Sequence, residues 1–182
     1  MVASLLLLLS KVIESMSCDE FLYNKYILMT LNFSICAGKC PPGWTLFFKA
    51  NKCYKFFPGS RQFSSARRLC QENGGDVAIA TELGENNFIS FVFTDKNLWL
   101  GGERIGSTKN FAWNYRGTRV SDTSKFIPQQ FLPWNPNEPN NGGAVGNENC
   151  IITNWFNNGR AKWNDVVCTF TAETVCERPA NL

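Results

Sequence analysis

Apolar and polar positions change rhythm several times along the 182-residue chain. Residues 2–9 form a short apolar run with five consecutive leucines, and residues 26–35, entered from Lys25, form a second mostly apolar stretch. After Cys40-Pro41-Pro42-Gly43-Trp44, two short runs, Thr45-Leu46-Phe47-Phe48 and Tyr54-Lys55-Phe56-Phe57, flank Lys52-Cys53 and predict a hairpin that Pro58-Gly59 ends. Phe63, Ala66, Leu69 and Cys70 then recur at spacings of three and four, so an amphipathic helix is expected over 62–73, with Asn73-Gly74-Gly75 as a left-handed stop. A second helix is expected from Thr81, which can cap it; Glu82 and Glu85 fall in the first turn, and Phe88, Ile89 and Val92 on the inner side. Leu98-Trp99-Leu100 reads as a buried strand closed by Gly101-Gly102. From there to Gly146 the chain has loop chemistry, and a strand pattern returns at Cys150-Ile151-Ile152. An irregular stretch of about 40 residues is unusual inside a domain unless its loops are functional.

Neither N-terminal apolar run reaches the roughly 20 residues needed to span a bilayer. Each resembles the core of a secretory signal, cut after residue 17 in one reading and after residue 37 in the other. The second cut is preferred because it removes Cys18 and Cys36 and leaves six cysteines, an even number. The expected organisation is therefore a leader over 1–37 and one domain over 38–182. With the earlier cut, Cys18 and Cys36 would remain to pair with each other or with a second chain. The sequon at Asn32 would also survive.

Composition narrows the function. Eight cysteines with 18% charged and 44% hydrophobic residues describe a disulfide-stapled chain with a real core, which belongs outside the cytosol. The net charge of +3 lacks the clustered excess that nucleic acid or an anionic membrane would demand, so neither is expected as a partner. There is no histidine at all, which removes imidazole bases, Ser/His and Cys/His dyads, and histidine-ligated zinc.

Between Thr123 and Ala172 stand only three acidic residues, Glu138, Glu148 and Asp165, each with asparagine beside it or two positions away: Asn140, Asn147, Asn149 and Asn164. Carboxylates mixed with amide oxygens at irregular loop spacing suit a hard cation such as Ca2+, which takes about 6–8 oxygens in flexible geometry. From composition alone the plainer reading is that these residues make turns.

Several spaced motifs, in order, add to that picture. Glu138-Pro139-Asn140, Glu148 two residues before Cys150, and Trp163-Asn164-Asp165 three residues before Cys168 resemble the sugar-binding calcium site of the C-type lectins. Trp99-Leu100-Gly101, Trp134 and Cys176-Glu177 fit the same frame. The resemblance covers Cys40 to about Pro179. It implies an α+β, long-form C-type lectin-like fold, in which two helices flank small antiparallel sheets beneath a long-loop lobe. It also implies disulfides Cys40–Cys53, Cys70–Cys176 and Cys150–Cys168, and a cis bond before Pro139. Glu138, Asn140, Glu148, Asn164 and Asp165 would bind both Ca2+ and sugar. The Glu-Pro-Asn order goes with mannose, fucose or N-acetylglucosamine rather than galactose. The sequence departs from the family where a second calcium site would need acids: Arg104, Thr108 and Asn141 stand there instead, so that site is expected to be absent. Longer stretches at 114–133 and 141–147 border the expected site.

The implied protein is secreted and extracellular, an innate-immunity type of lectin that binds glycans on cell, microbial or matrix surfaces, without membrane insertion. Any oligomer would have to come from the domain itself or from Cys18 and Cys36. A glycosidase built on Glu138 and Glu148 is disfavoured, because a ligand carboxylate is not free to shuttle protons, and no enzyme activity is expected. The rival is a lectin-like module for protein, ice or mineral surfaces in which Ca2+ only orders loops. Trp44, Trp99, Trp113, Trp134 and Trp163 are expected mostly in the core, and Trp155 is the best candidate for an exposed ring.

Overall fold

The computed structural model describes residues 38–114, 132–142, 146–154 and 160–181. The proposed leader, Cys18, Cys36, Asn32, Trp155 and most of the two longer loops lie outside the described residues. Strand β1 (Thr45–Phe47) pairs antiparallel with β2 (Lys52–Arg61) across a 3-10 turn at Phe48–Ala50, the hairpin read from the apolar runs. Its second strand runs through Pro58-Gly59 to Arg61, with the register slipping between Phe57 and Arg61 where Pro58 has no N–H to offer. Helix α1 (Phe63–Glu72) buries Phe63, Ala66 and Cys70 and ends at Gly74, whose φ of 77° supplies the left-handed turn.

After β3 (Asp76–Val77), helix α2 (Leu83–Val92) differs from expectation at both ends. Thr81 does not cap it. Its N–H and Oγ1 instead donate to Glu85 Oε2 at 2.7 and 2.8 Å, and Glu82 is the capping residue with no side-chain bond. Val92 faces outward at 53% exposure, while Glu85, Asn86, Ile89 and Ser90 are buried. The inner face is fixed by what those polar groups bond to. Glu85 meets Lys52 and Tyr54, and Asn86 bonds Ala161 and Trp163.

Strand β4 (Leu98–Arg104) continues through Gly101-Gly102 rather than stopping there, and β5 (Phe111–Trp113) pairs with it inside the stretch expected to be loop. The glycines are packing residues. A Cβ on Gly102 would lie 2.5 Å from Ile151 Cδ1, and one on Gly101 2.8 Å from the Val77 carbonyl. Strands β6 (Cys150–Thr153), β7 (Trp163–Val166) and β8 (Ala172–Pro179) complete a sheet with the order β1-β2-β8-β4-β6-β7. In it β3 adds to β8 and β5 to β4, and every pairing is antiparallel except β4 with β8. Trp99, Trp163 and Trp113 are buried in the core, and Trp134 packs against it.

Disulfides join Cys40 to Cys53, Cys70 to Cys176 and Cys150 to Cys168. The second joins α1 to β8 across 106 residues. The third links the start of β6 to the turn just beyond β7, next to the site described below.

A buried ionic cluster joins β2, α2 and β8. Lys52 Nζ lies 2.8 Å from Glu85 Oε1 and 3.3 Å from Glu177 Oε2, and the Tyr54 hydroxyl donates to Glu85 Oε1 at 2.5 Å. Burial pushes the Glu177 carboxyl up to about 7. Burial also opposes ionisation of Glu85, but the Lys52 charge and the bonds from Lys52, Tyr54 and Thr81 outweigh it and hold that carboxyl below its ordinary value. The two carboxylates likewise overcome the desolvation of Lys52 and raise its ammonium.

Candidate functional site

Hydrogen-bonded strand pairing brings the later site residues together. In the β6–β7 ladder Ile151 pairs with Asp165 and Ile152 with Asn164, which puts Glu148, just before Cys150, at the same end as Asn164-Asp165. The earlier motif is delivered by a loop pinned to β7. Trp163 N–H donates to the Pro133 carbonyl at 2.8 Å and Asn135 N–H to the Trp163 carbonyl at 2.9 Å, while the Trp134 and Trp163 rings meet edge-to-face with centroids 5.6 Å apart. A turn follows, closed by Glu138 N–H on the Asn135 carbonyl, with Asn137 at φ 69°. The Glu138–Pro139 bond is cis.

Asp165 is the buried centre of the arrangement, at 0% exposure. Its Oδ1 accepts the Asn140 N–H at 3.0 Å and its Oδ2 the Asn141 N–H at 2.9 Å. The Glu138 carboxylate accepts the Asn140 N–H and amide, both at 3.0 Å, and Glu148 Oε2 accepts the Gly142 N–H at 2.7 Å. Asn164 Nδ2 donates to the Asp165 main-chain oxygen at 2.9 Å. All five candidate residues thus join one hydrogen-bonded network, with Glu138, Asn140 and Glu148 toward solvent and Asn164 and Asp165 beneath.

Two residues not among the candidates belong to the same network. Asn141 bridges the loop, its Oδ1 accepting the Glu148 N–H at 2.8 Å. Arg104, read from sequence only as a missing acid, reaches Asp165 Oδ2 through Nη2 and the Glu148 carbonyl through Nε. No spacing rule points from residue 104 to residue 165.

The donor set can be tested against a hard cation. Among the described residues no three Asp, Glu, His or Cys side chains form a ready metal cage, and the carboxylates turn to N–H groups instead. The electrostatics nevertheless fit a cation. Partial burial, then the bonded and charged Asp165 carboxylate beside it, push the Glu138 carboxyl up to about 7, with Glu148 adding to the effect. The cost that neighbouring negative charge puts on ionising Glu138 is what a cation among these oxygens would relieve. Every metal-ligating atom that the five candidate side chains offer is oxygen, which suits Ca2+ and not zinc.

A family model described as Lectin C-type domain matches residues 59–178. The chain belongs to the C-type lectin domain family. Curated relatives include a mouse low affinity immunoglobulin epsilon Fc receptor, 32% identical over 142 residues, which cover 78% of this chain and 38% of that protein. Another is a lactose-binding lectin from Anguilla japonica, 28% identical over 144 residues, which cover 78% and 80%. The chain thus spans well under half the length of the receptor. Among solved structures, the carbohydrate-recognition domain of cow CD23, crystallised in the presence of a GlcNAc2Man3 oligosaccharide, aligns with a TM-score of 0.64. It is 27% identical, and the alignment covers 80% of this chain and 99% of that one. A calcium-independent type II antifreeze protein aligns with a TM-score of 0.61 at 22% identity, over 79% of this chain and 97% of that one, a likeness of fold alone. The C-type lectin-like α+β fold implied by the motifs is therefore the fold of this chain, whose relatives include a lactose-binding lectin and whose structural neighbours include an antifreeze protein. Among the described residues no helix is long and apolar enough to cross a membrane.

Proposed function

We propose that the protein is a secreted, extracellular, Ca2+-dependent lectin for mannose, fucose or N-acetylglucosamine-type glycans on cell, microbial or matrix surfaces. The observation that carries this reading is the gathering of Glu138, Asn140, Glu148, Asn164 and Asp165 into one network around a buried carboxylate. In this reading Glu138, Asn140, Glu148 and Asn164 hold Ca2+ through side-chain oxygens, and Asp165 through side-chain and main-chain oxygens. The ion, when bound, supplies a hard centre for two adjacent sugar hydroxyls. The side chains do the discriminating work. Each glutamate accepts a hydrogen bond from a hydroxyl while each asparagine amide donates one to the same oxygen, so the four groups fix both the position and the direction of a hydroxyl pair. The names of related proteins include both lactose-binding and mannose receptor types, so the sugar preference here rests on the Glu138-Pro139-Asn140 order and not on them. Monosaccharide affinity is expected near millimolar, about what a shallow polar site supports. The role is binding and not catalysis, because both glutamates are committed to the ion and the sugar.

Retention on a mannan resin tests the reading. Calcium should be required, mannose should elute, and galactose should not. The second reading, a module for protein, ice or mineral surfaces with structural calcium, draws on the fact that the site's carboxylates are already satisfied by N–H groups. Release by chelator from a protein or mineral partner, together with indifference to mannose, would support it.

The raised Glu138 carboxyl sets a pH dependence. A proton held up to about 7 must leave before calcium binds, so apparent calcium affinity should be level above that value and fall by roughly tenfold per pH unit below it. Calcium titrations followed by tryptophan fluorescence at several pH values check this. A midpoint that stays constant through slightly acidic pH would remove Glu138 from the ligand set.

A further inference from the structure

Arg104, at the end of β4, has a side chain only 3% exposed, and its guanidinium bonds three separate segments of the chain. Nη2 pairs with Asp165 Oδ2 in β7, Nε donates to the Glu148 carbonyl at 2.9 Å, and Nη1 donates to the Thr108 carbonyl at 2.7 Å. The main-chain N–H of Arg104 adds a bond to the Asn149 carbonyl, also at 2.9 Å, and the guanidinium carbon lies 4.7 Å from the centre of the Phe111 ring. The groups it holds in turn hold the loop above. Asp165 accepts the N–H groups of Asn140 and Asn141, and Glu148 accepts that of Gly142. One buried cation therefore sits beneath the Asp165 and Glu148 carboxylates that tie residues 140–142 to the sheet. Arginine suits the task, because its planar fork stays charged and can serve a carboxylate and two carbonyls at once.

We propose that the Arg104 guanidinium is a built-in cation that holds the sugar-binding loop in place before any metal arrives, making Arg104 a positioning residue. This rests on the proposed lectin reading for what the loop does, but its structural part stands separately. Asp165 has a positive partner at all times, so the loop is ordered in the metal-free protein. The bound calcium then faces a carboxylate already oriented rather than one it must recruit.

The test is hydrogen–deuterium exchange of the full chain in calcium and in chelator, read on peptides covering 138–142 and on the β2–β8 ladder as a control. The wild-type loop should exchange slowly in both. In Arg104→Met the loop should exchange at least about tenfold faster in chelator, because Asp165 loses its counter-charge. Arg104→Lys, which keeps the charge but loses the fork, should fall between the two. Calcium should restore slow exchange in Arg104→Met, a rescue that a purely structural role would not give. Slow exchange of the Arg104→Met loop in chelator would overturn the inference even if calcium and sugar still bind. So would fast exchange spread through the β2–β8 ladder in both variants, because Arg104 would then be holding the fold and not the loop. If wild-type protein binds no calcium while Arg104→Met still loosens residues 138–142 alone, Arg104 keeps its positioning role and the lectin reading falls.

Discussion

Asp165→Asn is expected to abolish calcium-dependent glycan retention and to lower stability by about 3 kcal/mol, the scale for breaking one side of a buried charge pair. The change preserves size but replaces one carboxylate oxygen with an NH2 group. Asp165 accepts from Asn140, Asn141 and Arg104, and all three are donors, so an amide in its place sets donor against donor at one position whichever way it is turned. Arg104 is then left charged and buried without its carboxylate, and the proposed ion loses its innermost ligand. Urea unfolding and mannan retention measure the two losses separately. A variant that still binds mannan in calcium would show that Asp165 is no ligand. One that binds nothing but unfolds at the wild-type urea midpoint would contradict the Arg104 pairing.

The second large effect is expected at the ionic cluster between β2, α2 and β8. Lys52→Met leaves Glu85 and Glu177, 0% and 1% exposed, with no cation between them. The cost should be about 3–5 kcal/mol near neutral pH, and its pH dependence has a definite sign. Glu177 already binds a proton up to about 7 in the folded protein against an ordinary value of 4.5, so between those values the folded state holds more protons than the unfolded one. The stability tied to that group therefore falls as pH rises through the window. Glu85 behaves oppositely, since its depressed carboxyl contributes stability above its ordinary value that is lost as pH falls. Removing Lys52 drives both carboxyls upward, so the variant should lie much further below wild type at about pH 7.5 than at about pH 5, where protonation relieves it. Denaturant titrations at the two pH values check this, and a deficit that is equal at both would show that Lys52 acts through packing alone.

How much of this was legible from the chain depended on whether a feature was local. The hairpin and α1 follow from short apolar runs and from spacings of three and four; the helix ends move by one residue, at Gln62 and Asn73, while β2 runs on past Pro58-Gly59 to Arg61. Strand β7 was hidden because Trp163-Asn164-Asp165-Val166 is buried on both faces, so its polar residues carry no alternation. Strand β5 is only three residues long, and β4 runs through two glycines whose role is set by Ile151 and Val77 elsewhere in the fold. Helical period alone places Val92 inward, but the inner face of α2 is chosen by Glu85 and Asn86, whose partners lie on other elements. Lys52 and Glu177 are 125 residues apart, beyond any local rule. The five site residues were readable as a set only through the resemblance of their ordered motifs to the C-type lectins, because composition alone favoured turns. Arg104 showed the limit of that route. A motif comparison registers it as a lost acid, and only the fold reveals that its charge is used at the same place.

The central claim is that a sugar is held through one calcium ion at Glu138, Asn140, Glu148, Asn164 and Asp165. Mannan-resin retention of the wild-type chain in calcium and in chelator, with mannose and galactose as competitors, tests it most directly. The account predicts retention only in calcium, release by chelator or mannose, and no release by galactose at the same concentration. Retention that persists in chelator, or no retention at all in saturating calcium, would contradict it.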